Sequence, residues 1–171
     1  YNLARLQRRL GQPESALASY AEALRHDVQQ PEEVHLNRAV ICADDLRQPE
    51  AAEQELLKAL RRNPRYGPAL LNLGNLHADL GQREQARRAY EKLLAVDPRH
   101  WEALARCADL ADIRSGDDTW IARLRQSLDQ GATSAGDRAA LGFALGRALD
   151  AAGEYEAAFA AYAEANRQGR A

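Results

Sequence analysis

The chain has 171 residues, of which 28% are charged, 46% hydrophobic and 6% aromatic, with a formal net charge of −2. That length can bury one core or a row of small stacked cores. The small net charge gives no bulk attraction to nucleic acid or anionic lipid, and no apolar run approaches the roughly 18 residues a membrane span needs.

Residues 1–30 read as a pair of helices missing its first few residues. YNLARLQRRLG ends a first helix at Gly11, and Ala16, Tyr20, Ala23 and Leu24 give a second helix its packing face. Gln12-Pro13-Glu14 recurs as Gln48-Pro49-Glu50, with proline near the first helical position, where its missing N–H costs nothing. Gln29 to Glu32 read as a short insertion before a second unit over 33–66. The third unit, 67–100, is the clearest. Its first helix carries Leu70, Leu73, Gly74 and Leu76 and stops at Gly81, where the left-handed conformation suits glycine. Its second carries Ala86, Ala89, Tyr90, Leu93 and Leu94 on one face and ends at Asp97-Pro98. A shift of 34 residues lays Leu36, Ala39, Ala52, Leu56, Ala59 and Pro64 onto Leu70, Leu73, Ala86, Tyr90, Leu93 and Pro98. The alanines leave room where helices cross, since a larger side chain there would overpack by about 1–3 kcal/mol.

Residues 101–134 form an irregular fourth unit. WEALARCADLADI makes a first helix, but Trp120 stands where a small residue is expected, and a second helix from about Asp117 carries Ile121, Leu124 and Leu128. DQGATSAGD then reads as a loop four residues longer than the pattern allows, so this unit should pack differently from its neighbours. Residues 139–171 return to pattern, with a helix closed by Gly153 and another carrying Ala158, Tyr162 and Ala165. Five pairs in which each unit contacts only its neighbours imply one continuous all-α array over residues 1–171.

The period, the helix–turn–helix unit and the run L-x-x-L-G…A-x-x-x-Y…P resemble the tetratricopeptide repeat, on Leu70, Leu73, Gly74, Gly81, Ala86, Tyr90 and Pro98. The resemblance implies an all-α superhelical solenoid that binds other proteins in its concave groove. The last two units are also similar to the end of the repeat region in bacterial proteins that carry a sulfotransferase domain downstream. The matching residues are Leu141, Ala144, Leu145, Gly146, Leu149, Asp150, Gly153, Tyr155, Ala158 and Tyr162, with Phe143, Phe159 and Asn166 the most distinctive. That similarity implies an N-terminal recruiting region whose catalytic domain lies outside this chain. With no methionine, even at position 1, the chain reads as a trimmed piece.

Candidate chemistry is sparse. Arg114-Ser115-Gly116-Asp117-Asp118-Thr119 faintly resembles the Arg-Ser-Gly-Thr phosphate loop of sulfotransferases. A helix precedes it and two carboxylates would repel a phosphate, so Asp117 and Asp118 read as helix caps. His26, His35, His77 and His100 have no metal-ligand spacing, and His77 shares a face with Leu73 and Leu80, as a packed core histidine does. Cys42 and Cys107 sit in apolar helical patterns, as buried free thiols of a reducing, cytoplasmic compartment do. No catalytic set, cofactor or metal is expected.

What remains is the groove face of each first helix. It comprises Asn2 and Arg5, Asn37 and Arg38, Asn72 and Asn75, Arg106 and Asp109, and Arg147. Asparagine offers a donor and an acceptor to an extended peptide backbone, and arginine a fork for carboxylates. Lys58 and Lys92, both on second helices, do not match the lysine clamp with which the chaperone-binding branch of the family grips a C-terminal carboxylate. The expected partner is a protein or extended peptide, with no role for nucleic acid or membrane and no expectation for oligomeric state. Two rival readings are a free-standing adaptor and a solenoid that self-associates end to end.

Overall fold

Prolines open these helices and glycines close them. In the computed structural model, which describes residues 1–26, 28–116, 118–130 and 134–169, Pro13, Pro31 and Pro49 each occupy a first helical turn. Ten α-helices result, and no strand occurs among the described residues. The chain divides into two compact units, Tyr1–Gln82 and Arg83–Ala171. The first holds α1 (Asn2–Arg9), α2 (Pro13–Arg25), α3 (Pro31–Val40) with a π-helical turn at Ile41–Asp45, α4 (Pro49–Arg62) and α5 (Gly67–Asp79). The second holds α6 (Arg83–Val96), α7 (Trp101–Leu110), α8 (Thr119–Gln130), α9 (Ala135–Ala151) and α10 (Tyr155–Gln168).

The repeated apolar positions form the core. Ala39, Ala52, Leu56 and Ala59 are buried in the first unit, as are Ala86, Tyr90 and Leu93 in the second, whereas Leu36 is only half-buried. Ala4, Ala16, Tyr20, Val34 and Ile41 form one cluster, and the Tyr1 ring meets that of Tyr20 edge-on at 5.6 Å. Tyr162, carried by sequence on one stripe with Ala158 and Ala165, is only partly buried. It packs instead against a gap on α9, where a Cβ on Gly146 would lie 2.5 Å from its ring, and one on Gly142 would lie 2.9 Å from Ala165 Cβ.

The ends of α1, α5 and α9 follow one device. At Gly11, Gly81 and Gly153, with φ of 71°, 71° and 82°, the next residue's N–H reaches back to a carbonyl one turn earlier. Gln12 N donates to Gln7 O at 2.9 Å, Gln82 N to His77 O at 2.8 Å and Glu154 N to Leu149 O at 2.9 Å, closing Schellman-type caps. In the second repeat Arg47 stands at the glycine's place with φ 55°, and the closure is wider, Gln48 N to Cys42 O at 2.8 Å across the π turn. The chain bends as glycine would bend it, without glycine.

Three segments differ from the sequence reading. Pro31 and Glu32, read as insertion, are the first turn of α3. Residues 111–113, read as helix, leave it at an extended Ala111, and Ile113 is then buried as an anchor. The long loop after α8 is mostly helix. Asp129 and Gln130 end α8, and Ala135–Asp137 begin α9, where Ser134 Oγ accepts from Asp137 N at 3.0 Å; residues 131–133 lie outside the described residues. Within this segment α8 packs mainly on α9 and only lightly on α7.

A buried ion network ties the first unit together. Glu55 on α4, 5% exposed, accepts from Arg38 Nε at 3.1 Å and from Lys58 Nζ at 2.7 Å, and meets His35 Nδ1 at 2.8 Å. Arg38 Nη1 also donates to Leu17 O on α2 at 2.9 Å, so one side chain links α2, α3 and α4. Burial pushes the Glu55 carboxyl upward, but the bonds from Arg38, Lys58 and His35 outweigh it and hold it at about 2.

The conformation of Arg47 predicts that Arg47→Gly raises stability by about 0.5–1 kcal/mol, because the left-handed strain disappears and the Arg47 side chain forms no ion pair with a described residue. Gly146→Ala should lower it by about 1–3 kcal/mol through overpacking on Tyr162. Denaturant melts of both variants check the pair, and opposite signs are expected. For Glu55 the folded pKa lies below the ordinary 4.5, so its contribution is complete above about pH 4.5 and is lost as pH falls toward 2. Wild type should therefore lose on the order of 2–3 kcal/mol more than Glu55→Gln between pH 6 and pH 2, and equal losses would disconnect the network from acid sensitivity.

Candidate binding groove

The candidate residues of α5, Asn72 and Asn75, lie at i and i+3, and Asp79 follows at i+7, so the three share one helix face. That face meets α3 and its π turn around a pocket of about 70 Å³. Ala39, Val40, Ala43, Leu56 and Leu76 give it an apolar floor, while Asp44, Asn72, Asn75 and Asp79 supply its polar lining. Asn72 Nδ2 donates to Pro68 O at 2.8 Å, which leaves its Oδ1 as the group able to accept from a ligand.

Neither candidate of α3 lines this pocket. Arg38 is engaged by Glu55 and Leu17 O, and Asn37 Nδ2 donates to Glu33 O at 2.9 Å and to Tyr1 Oη at 3.1 Å. Both side chains hold helices together. Asn2 and Arg5 are exposed on α1, and one turn on, Arg8 pairs with Asp45 at 2.7 Å and reaches Asp44 only at 3.5 Å.

In the second unit Arg147 Nε and Nη2 donate to Asp109 Oδ1 and Oδ2 at 2.7 and 2.8 Å, a two-bond fork from α9 to α7. The pair borders an open pocket of about 330 Å³ with Ala108, Ala111, Ile113 and Ala148. Arg106, one turn before Asp109, is exposed. The sequence reading missed Asp44 and Asp79 as groove groups. The signal was present in the spacing, since Asp44 follows Asn37 by seven residues and Asp79 follows Asn72 by seven.

The remaining polar groups serve the fold. Arg114 is bonded to Asp112, and Asp118 Oδ1 accepts from Trp120 N at 2.8 Å as a cap of α8, while Asp117 lies outside the described residues. His77 is buried and its Nδ1 meets Gln82 Oε1 at 2.6 Å; His100 Nδ1 accepts from Ala103 N at 3.3 Å at the start of α7. His26 pairs with Glu22 at 3.0 Å on the surface. Cys42 and Cys107 are free and buried, and burial pushes the Cys107 thiol up to about 12, far from a reactive thiolate. Among the described residues no group of His, Cys, Asp and Glu is arranged to hold a metal ion, and no helix is long and apolar enough to cross a membrane.

Among solved structures, that of MamA superposes with a TM-score of 0.77 at 18% identity, covering 99% of this chain and 96% of the other. That of YrrB, described as a TPR protein with an unusual peptide-binding site, superposes with a TM-score of 0.72 at 19% identity, covering 98% and 83%. At such identities the likeness shows the fold alone. A human protein described as FK506-binding protein-like is 35% identical over 99 residues, and the match spans 54% of this chain but only 28% of that protein's length. Models described as tetratricopeptide repeat match residues 1–68, 40–81 and 67–100. With more than half of its length so matched, the chain belongs to the tetratricopeptide repeat family.

Proposed function

We propose that the chain is a non-catalytic scaffold that binds a protein or an extended peptide along the first helices of its repeats. The observation that carries this reading is the pocket between α3 and α5, where an apolar floor and a polar rim of two carboxamides and two carboxylates meet. A rim of that kind suits main-chain N–H groups, and the floor suits a side chain projecting from an extended segment. YrrB, which shares the fold, is described by its own peptide-binding site. A cytoplasmic setting accords with the two buried free cysteines, and the net charge of −2 argues for protein and against nucleic acid as partner.

The narrower reading, a recruiting region for a bacterial sulfotransferase domain, rests on Phe143, Phe159 and Asn166. Phe143 faces Tyr162 with ring centroids 6.5 Å apart, and Asn166 Nδ2 donates to Tyr162 O at 2.9 Å within its own helix. Phe159 is 75% exposed and has no packing role that explains it. A second reading, self-association, is favoured by apolar side chains left in water. Leu3 and Leu6 on α1 and Leu10 at its C-cap are exposed, as are Tyr155 and Phe159 on α10.

Asn72→Ala should weaken a captured partner by roughly five- to tenfold, as loss of one or two hydrogen bonds does, with the fold unchanged by circular dichroism; unchanged affinity would remove the α5 groove from the interface. Arg106→Ala tests the second unit separately, with a smaller loss expected of an exposed charge. Light scattering from micromolar to millimolar concentration should return a constant monomer mass, and a mass that grows with concentration would favour self-association. Purified protein should show no turnover of an activated sulfate donor, and measurable transfer would overturn the scaffold reading.

A further inference from the structure

Four arginines on the groove faces, Arg5, Arg38, Arg106 and Arg147, suggest by sequence a site for carboxylates. The structure changes that balance. Arg38 is engaged by Glu55 and Leu17 O, and Arg147 by both oxygens of Asp109. No cation lines the pocket between α3 and α5. Of its two carboxylates, Asp44 has only a 3.5 Å contact with Arg8, which is better bonded to Asp45 at 2.7 Å. Asp79 forms no ion pair with any described residue. A negative rim over an apolar floor is therefore what the first unit presents.

We propose that this pocket takes the lysine side chain of an extended basic segment of a partner protein. The proposal rests on the groove reading above and names the chemistry of its occupant. The volume of about 70 Å³ has room for several water-sized groups, the size of a lysine's stem and ammonium. The methylenes lie against Ala39, Ala43 and Leu76, and the ammonium's three N–H groups reach toward Asp44 and Asp79. Asn72 Oδ1 accepts a main-chain N–H beside it. The compact ammonium suits this site better than the broader guanidinium, which needs a flat two-oxygen face in one carboxylate.

Three labelled alanine–serine heptapeptides, identical but for a central lysine, glutamine or glutamate, test this by amide NMR titration of the intact chain. The lysine peptide should shift the amides of Ala43, Leu76 and Asp79, bind at least roughly tenfold more tightly than the glutamine peptide, and weaken with added salt. Asp79→Asn should erase the difference between the two without moving the thermal midpoint, since Asp79 is exposed. Equal shifts at these amides by all three peptides, or a preference for glutamate, would overturn the basic partner and leave the groove standing. Shifts by none of them at these amides, with the peptides in millimolar excess, would overturn the groove reading as well.

Discussion

Close approach of helices is the constraint on which everything else here rests. Ala16, Ala52 and Ala86, at the same place in three second helices, are each completely buried, and on α9 the part is taken by Gly142 and Gly146. A side chain of ordinary size at any of these points would hold neighbouring helices apart and open the leucine layers beside them. Because the apolar stripe of each first helix is turned into that contact, its other face is left for solvent or a ligand. Asn72, Asn75 and Asp79 share a pocket for this reason: the face opposite Leu70 and Leu73 has nowhere else to go.

Much of this was legible in the residues themselves. Proline at the start and glycine at the end of helices, the 34-residue offset and the alanines at fixed positions specify pairs of helices through local rules. The irregular unit announced itself through Trp120, which is half-buried with the Arg123 guanidinium 5.4 Å from its ring. Boundaries were harder. Ser134 and Asp137 form a cap, but amid glycine and alanine their spacing resembles a loop until the bond between them is seen. The left-handed Arg47 was invisible for a different reason, since arginine carries no turn signal and is held there by the register of its neighbours.

The groove was half legible. Helical spacing placed Asn72 and Asn75 on one face, because a face is a property of sequence. Whether a charge on that face is available to a ligand is not. Arg38 lies on α3 within reach of a buried carboxylate, and a buried Glu55 left unpaired would cost more than any gain from an arginine in water. Folding thus withdraws a cation from the surface and leaves carboxylates behind. Near-neutral composition conceals this, since the sum of charges is unchanged while their distribution is reversed in sign.

The two cross-helix ion pairs that engage groove arginines therefore differ in kind. Glu55 is buried, with its bonds supplied from α3 and α4, and removal of Arg38 would strand a charge in the core. Asp109 and Arg147 face solvent, where even a two-bond fork contributes about 0–1 kcal/mol. What joins α7 to α9 is then their apolar packing, with Leu104 and Ala108 on α7 and Leu141 and Ala144 on α9 all buried. It follows that opening the Arg147 fork would cost the fold little, whereas Arg38 cannot leave Glu55 without stranding a buried charge. The engagement of the arginine is fixed in the first unit and exchangeable in the second, and the difference comes from burial, not from the identity of the charged residues.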